Sequence, residues 1–376
     1  MDAELQVTAQ LIERAKVPEE VFGTLSGNQA DALKGVYRRL SKVVHPDRYT
    51  DPDDRARADQ AFRALQNLLE QAEERIKYGM YGDGSASAAK TPPVLVRSKR
   101  RDYLVQSEVF AQGDLCNLYH CNFDLDGKAL AGVFKVARDP EDNDLVSNEA
   151  SILKHLAASK EYANYAPYAP RLVESFDYRD GHSPDARRAN ILALEPGDYY
   201  SLEEVRAYYP QGVNPKDMAW MWRRLLIALG FAQTSEVIHG AVLPAHILIQ
   251  PENHGLVLID WSYAVRESGT FETIPAISMA YEQWYPAEVL ARELPKPGTD
   301  LYMGAECMIY LLGGDPVTGT IPDTVPTRIQ TFLRGTALKG QAQRPQNALV
   351  LLDEFTGLCE SLWGPRKFRE FYMPKK

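Results

Sequence analysis

HGAVLPAHILI, His239 to Ile249, followed by GLVLIDW, Gly255 to Trp261, is the stretch on which the fold turns. It reads as a loop closing on an apolar β run, then a turn, then a second β run that ends in Asp-Trp. Taken alone, these apolar residues describe a β-hairpin that many folds could hold. The decision therefore rests on the order of the elements on either side.

Immediately upstream, Asn214 with Pro215 opens a strong helix, DMAWMWRRLLIALGFAQ, whose Met221, Leu225, Ala228, Leu229 and Ala232 recur at core spacing. Further upstream, the alternation in YLVQSEVFAQGD, LCNLYHCNF and ALAGVFKVA predicts three antiparallel strands joined by turns. A helix from Asn143 to Leu156 follows, with Leu145, Ile152, Leu153 and Leu156 on its apolar face and Glu149 among them.

This order resembles the protein-kinase superfamily over about residues 102 to 360. His239 to Ile249 with Asp260 matches H-R-D-L-x-x-x-N followed by D-F-G, and the H-G-D…D-W variant of small-molecule kinases. The resemblance implies a two-lobed fold, a small β-rich lobe before a larger, mainly helical one. It also places the family's catalytic Asp on Ala241, its metal-holding Asn on His246, and the intervening Lys or His on Leu243; the metal-binding Asp is kept as Asp260. A positioned general base is worth roughly 100- to 10,000-fold in rate, and Ala241 has no group to accept a proton. The site is read as degenerate at His239, Ala241 and His246, which is the pattern of a pseudokinase. His239 is expected to be a core residue of its loop. His246 would weaken a second magnesium site, because that ion prefers oxygen ligands.

The same resemblance assigns the nucleotide-side residues. VFKVA resembles V-A-I-K, making Lys135 the phosphate-reaching lysine and Glu149 its partner. The turn Gln112-Gly113-Asp114 stands at the glycine-rich loop with one glycine, Gly113, where the family has three. Leu194-Glu195-Pro196 falls at the adenine-binding hinge, where Pro196 lacks an N–H. ATP, with or without magnesium held at Asp260, is the implied ligand. Scaffold positions match as well: Glu288 in YPAEVL, its partner Arg344, and Asp300 at the start of the helix TDLYMGAECMIYLLGG. Gly240 replaces an Arg that clamps phosphorylated activation loops, so phosphorylation of Thr270 or Thr273 is expected to find no local charge.

The amino-terminal part has a different organisation. From Asn28 to about Val44, Leu33, Tyr37, Leu40 and Val44 make a helical stripe, while Lys34, Arg38, Arg39 and Lys42 make one face basic. After HPDRYTDPDD, a second helix from about Asp54 to Tyr78 carries Phe62, Leu65, Leu69, Ala72 and Ile76. Val17, Val21, Phe22 and Leu25 are expected to cover the open side. A basic helix, then His45-Pro46-Asp47, then this second helix resembles the J-domain of DnaJ-type co-chaperones over residues 17 to 80. The resemblance implies that His45, Pro46 and Asp47 trigger ATP hydrolysis by a DnaK-type chaperone, with Lys34, Arg38, Arg39, Lys42 and Arg48 steering the encounter.

The expected division is a J-domain with an N-terminal helix at 1–80, a flexible linker at 81–101 and a kinase-like domain at 102–376. GMYGDGSASAAKTPP, residues 79 to 93, has the composition of a tether, and the basic run Arg97 to Arg101 reads as solvated linker charge. WGPRKFREFYMPKK at the end is a basic, aromatic tail without an assigned role.

Bulk properties agree with an α+β protein of more than one domain: 376 residues, 45% hydrophobic and 25% charged. A formal net charge of −9 argues against non-specific binding of nucleic acid or an anionic membrane. MDAELQ lacks the basic and apolar regions of an export signal, and Cys116, Cys121, Cys307 and Cys359 form no C-x-x-C pair. A cytoplasmic location with free thiols is expected, without a membrane partner. The leading functional expectation is a J-domain co-chaperone whose pseudokinase domain binds a client, another partner or a nucleotide. The alternative is an atypical ATP-using transferase, a kinase or nucleotidyl transferase working without the usual Asp.

Overall fold

The computed structural model describes residues 3–15, 17–23, 25, 29–78, 80–82, 93–179, 185–266 and 269–375. Asn28, the expected helix cap, and most of the expected tether lie outside them. The architecture is mixed α+β. It divides into two compact units, residues 1–111 with 119–132, and residues 112–118 with 133–376.

The first unit begins with four helices, α1 (Ala3–Arg14), α2 (Glu19–Phe22), α3 (Gln29–Val44) and α4 (Pro52–Lys77). Asp51 starts α4 by accepting from the N–H groups of Asp53 and Asp54, both at 3.1 Å, and Pro52 occupies the first turn, where its missing N–H costs nothing. Leu33 and Val44 of α3 pack with Ala58, Ala61, Leu65, Leu68 and Ala72 of α4. The α4 stripe is rotated from the expected one: Phe62, Leu69 and Ile76 are only partly buried. The reason is that α1 also packs on α4 and contributes Leu5, Ala9 and Ile12 to the same core. Val21, Phe22 and Leu25 are buried in it as anticipated, and Arg75 ties α4 to Glu19 at 2.6 Å.

Four strands follow, β1 (Val94–Arg97), β2 (Asp102–Gln112), β3 (Cys116–Leu125) and β4 (Lys128–Ala137). Part of the expected linker is therefore strand: β1 pairs antiparallel with β2, from Val94 opposite Val105 to Arg97 opposite Asp102. The basic run forms the turn between them, where the Ser98 hydroxyl accepts from the N–H groups of Arg100 and Arg101 at 3.0 and 3.1 Å. Tyr81, also in the expected linker, is buried in the helical core and donates its hydroxyl to the Gly23 carbonyl at 2.9 Å.

In chain order, the second unit adds α5 (Asn143–Ala157), α6 (Tyr162–Tyr165), β5 (Arg171–Tyr178), β6 (Arg187–Ala193), β7 (Tyr200–Ser201), α7 (Leu202–Tyr208) and α8 (Pro215–Thr234). Then come β8 (Val237–Ile238), β9 (Ile247–Gln250), β10 (Gly255–Leu258), β11 (Val265–Arg266), α9 (Ala287–Leu290), α10 (Pro297–Leu311), α11 (Thr327–Thr336) and α12 (Ala348–Trp363). The strands make a six-stranded sheet in the order β1-β2-β3-β4-β6-β5, a three-stranded sheet β10-β9-β7 and a pair β11-β8. Helix α8 is the hub of the core, packed by α10 and α12. Trp222 is fully buried, and Gly304 of α10 leaves it room: a Cβ there would lie 2.9 Å from the indole.

The carboxy-terminal tail is docked. Phe371 and Met373 are buried, Arg369 pairs with Asp217 at 2.7 Å, and the Tyr200 and Tyr209 hydroxyls donate to the carbonyls of Pro374 and Tyr372 at 2.5 and 2.7 Å. His254, in the β9–β10 turn, is stacked between Trp220 and Phe368. All four cysteines are buried and free. Among the described residues, no helix is long and apolar enough to cross a membrane.

Candidate functional site

The loop that opens at His239 is held from outside itself. Asp300, in the first turn of α10, accepts from the N–H groups of His239 at 2.7 Å and Gly240 at 2.9 Å. Burial pushes its carboxyl up to about 7, against the opposing pull of those two bonds. Gly240 sits at φ +77°, and a Cβ there would lie 2.8 Å from the Tyr263 carbonyl, so both the backbone conformation and the space call for glycine. The His239 ring is fully buried; it accepts from the Ala241 N–H at 3.3 Å and donates to the Ile259 carbonyl at 3.0 Å. A neutral ring satisfies both bonds, and burial lowers its pKa to about 3. His239 is thus the core residue expected. Ala241 is fully buried and offers only a methyl group.

Three elements of the second unit converge on Lys135. Strand β4 places it opposite Asn190 of β6, and its ammonium lies 2.9 Å from Glu149 of α5, 2.6 Å from Asp260 and 3.1 Å from the Ser262 hydroxyl. Burial alone would lower the Lys135 pKa, but the carboxylates of Asp260 and Glu149 outweigh it and hold it well above the ordinary value. Burial likewise works against ionised Asp260, yet Lys135 and His246 keep it well below the usual carboxylate range. Asp260 itself adopts the left-handed region at φ 62°, ψ 63°, which an Asp tolerates better than most residues.

Buried amides fix this arrangement. Asn190 donates to the second Glu149 oxygen and to the Val146 carbonyl, both at 2.9 Å. Asn148 donates to the carbonyls of Ser262 and Ala264 at 3.1 and 2.8 Å, anchoring the chain just after Asp260. Asn148, Asn190 and Ser262 were not singled out from sequence. The available signal was an Asn inside the apolar run of β6 and a second Asn beside Glu149.

His246 lies against Asp260, Nε2 to Oδ2 at 3.3 Å, while its Nδ1 donates to the Ala241 carbonyl at 2.9 Å. The residues present do not suit a divalent metal. Such an ion wants several oxygens, whereas the two carboxylates here, Asp260 and Glu149, both bond the Lys135 ammonium. Among the described residues, no group of three or more His, Cys, Asp or Glu is placed to hold a metal.

At the expected phosphate and hinge positions the backbone makes local hydrogen bonds. The Gly113 N–H donates to the Cys116 carbonyl at 2.9 Å within its own turn, so it is not turned toward a phosphate. Glu195 is exposed and its carbonyl accepts from the Tyr199 hydroxyl at 3.0 Å; the Pro196 carbonyl accepts from Gln250 at 3.1 Å. Beyond Thr273, Arg292 donates to the carbonyls of Ile274 and Pro275 at 2.9 and 3.1 Å. Glu288 and Arg344 form the anticipated buried pair, at 2.5 and 3.2 Å. The Arg344 guanidinium stacks over the Tyr302 ring.

In the first unit, His45-Pro46-Asp47 lies in the loop between α3 and α4. His45 Nδ1 accepts from the Asp47 N–H at 3.3 Å, and its ring meets Phe62 edge-on at 5.3 Å. The Tyr49 hydroxyl pins the loop to the Val43 carbonyl at 2.6 Å. The Asp47 carboxylate remains 77% exposed, and Lys34, Arg38, Arg39, Lys42 and Arg48 are exposed as well. Scanned against protein-family models, the chain matches none.

Proposed function

We propose that this chain is a co-chaperone. A J-domain-like helical hairpin recruits and stimulates a DnaK-type ATPase, and a protein-kinase-like domain with impaired catalytic machinery binds a client, another partner or a nucleotide as a conformational ligand. The observation that carries the reading is the Asp47 carboxylate, presented to solvent by Pro46 next to a helix with an exposed basic face. Supporting it on the other side is Ala241, buried where phosphoryl transfer would need a proton acceptor. The test is the ATPase rate of the same cell's DnaK-type chaperone with the purified full chain. Stimulation that weakens with salt and disappears in Asp47→Asn is expected. No stimulation, or equal stimulation by Asp47→Asn, ends this reading.

A second reading is kept by one observation, the assembled set of Lys135, Glu149 and Asp260. Phosphoryl transfer depends mostly on positioning and electrostatics, so an atypical ATP-using transferase would need these residues even without Ala241's missing carboxylate. ATP consumption by the purified chain that an Asp260→Ala version lacks would favour it.

A further inference from the structure

We propose that the face under the carboxy-terminal tail, built by Tyr200, Tyr209, Asp217, Trp220 and His254, is a docking groove for an extended segment of a partner protein, an arginine followed two and four positions later by large apolar side chains. The tail is its resident, displaceable occupant. This rests on the partner-binding branch of the function just proposed and deepens it.

The tail is held as a peptide ligand is held. Beyond Arg369 exposure alternates: Glu370, Tyr372 and Pro374 are exposed, while Phe371 and Met373 are buried, the period of an extended chain with every other side chain in a pocket. Arg369 opens the series by pairing with buried Asp217 at 2.7 Å. The carbonyls of Arg369, Tyr372 and Pro374 accept from His254 Nε2 at 2.8 Å and from the Tyr209 and Tyr200 hydroxyls at 2.7 and 2.5 Å. Bonds to carbonyls are blind to sequence, so another chain of this pattern can make them. The groove is braced without the tail, since Arg224 holds the His254 carbonyl at 3.0 Å and the His254 ring stacks on Trp220 at 4.2 Å. The tether, Gly364 to Lys367, is exposed throughout and Gly364 sits at φ +75°, so the tail can leave without unwinding α12.

The occupant is also an incomplete fit. Trp220 meets Phe371 edge-on, yet its buried Nε1 has no acceptor among the described residues. A foreign segment that brings an acceptor gains a bond the tail does not make. The tail of a second copy gains nothing, and the short tether lets the chain's own tail outcompete it by effective concentration.

The experiment is fluorescence anisotropy of a labelled peptide with the sequence of residues 366–375, titrated with the full chain and with its Phe371→Ala/Met373→Ala variant, whose tail is loosened and whose groove is intact. The variant is expected to bind about tenfold more tightly than the wild type, because apparent affinity scales with the fraction of chains whose groove is open. A peptide carrying Arg369→Glu is expected to lose that binding. Equal affinity of the two chains, or of the two peptides, overturns the proposal. Dimerisation of the wild type that the variant abolishes also overturns it, by making a second copy the occupant. Should the variant melt early, the comparison of the two peptides on the wild-type chain still decides. Stimulation of the DnaK-type ATPase is read on the same preparations: stimulation without peptide binding removes the groove alone, and peptide binding without stimulation supports the groove while removing the co-chaperone reading.

Discussion

Replacing Lys135 with Met removes the one cation between two carboxylates. Each of its ion pairs is worth about 6 kcal/mol gross at distances of 2.6 and 2.9 Å, if the effective dielectric is about 20. Most of that gross value is offset by the desolvation already paid in the wild type. What the variant suffers is the residue of an unpartnered charge: Glu149 is fully buried and would keep only the Asn190 amide. Breaking a buried pair from one side costs about 3–5 kcal/mol, and that is the expected loss. The assay is urea unfolding followed by tryptophan fluorescence. All five tryptophans, at positions 220, 222, 261, 284 and 363, belong to the second unit, so the signal reports that unit alone. In Lys135→Met/Glu149→Met the penalty should fall short of the sum of the single changes by about 0.5–3 kcal/mol, the range seen for groups in contact. A Lys135→Met chain as stable as the wild type, or strict additivity in the double variant, would refute the claim that this network is paired and buried.

Two further outcomes follow from other parts of the second unit. His239 has a folded-state pKa of about 3 against an ordinary 6.5, so between these values the unfolded chain binds the proton that the native ring refuses. Its contribution is present above pH 6.5 and is lost as the pH falls toward 3, by up to about 1.4 kcal/mol per pH unit. Asp300 and Glu306, both pushed up to about 7 by burial, act in the opposite sense, so the effect is read as the difference between wild type and His239→Gln across that window. Ending the chain after Gly364 removes buried Phe371 and Met373 and the Arg369–Asp217 pair. After the ordering entropy of the tail is deducted, the loss should be roughly 2 kcal/mol, with a change in Trp220 emission as its stacked neighbours loosen; an unaltered melting curve would contradict it.

Much of the site could be read from the chain because its signals are local. Lys135 stands out on an apolar strand, Glu149 on the next helix, and Asp260 at the end of a hairpin, and those three do meet. Asp300 was legible as a helix start, but its grip on the His239 loop was not: the partners are about sixty positions apart, and no periodicity encodes that distance. The docked tail escaped for the same reason, since Phe371 and Met373 find Tyr200, Tyr209 and Trp220 only after folding. Strand β1 was missed on composition. Val94-Leu95-Val96 is short and flanked by prolines and a basic run, and only its pairing with β2 makes it a strand. The rotated face of α4 shows a related effect, because α1 claims a side of the helix that the α3–α4 pairing alone would leave to solvent.

That pairing of β1 bears on how the protein can be cut. A fragment begun at Asp102, where the sequence places the domain start, would strip the backbone partner from Tyr103, Leu104 and Val105, which are all buried. Such a fragment would present a bare, apolar sheet margin on which copies could zip together. A fragment that retains Val94 carries its own selvedge and is the one to express.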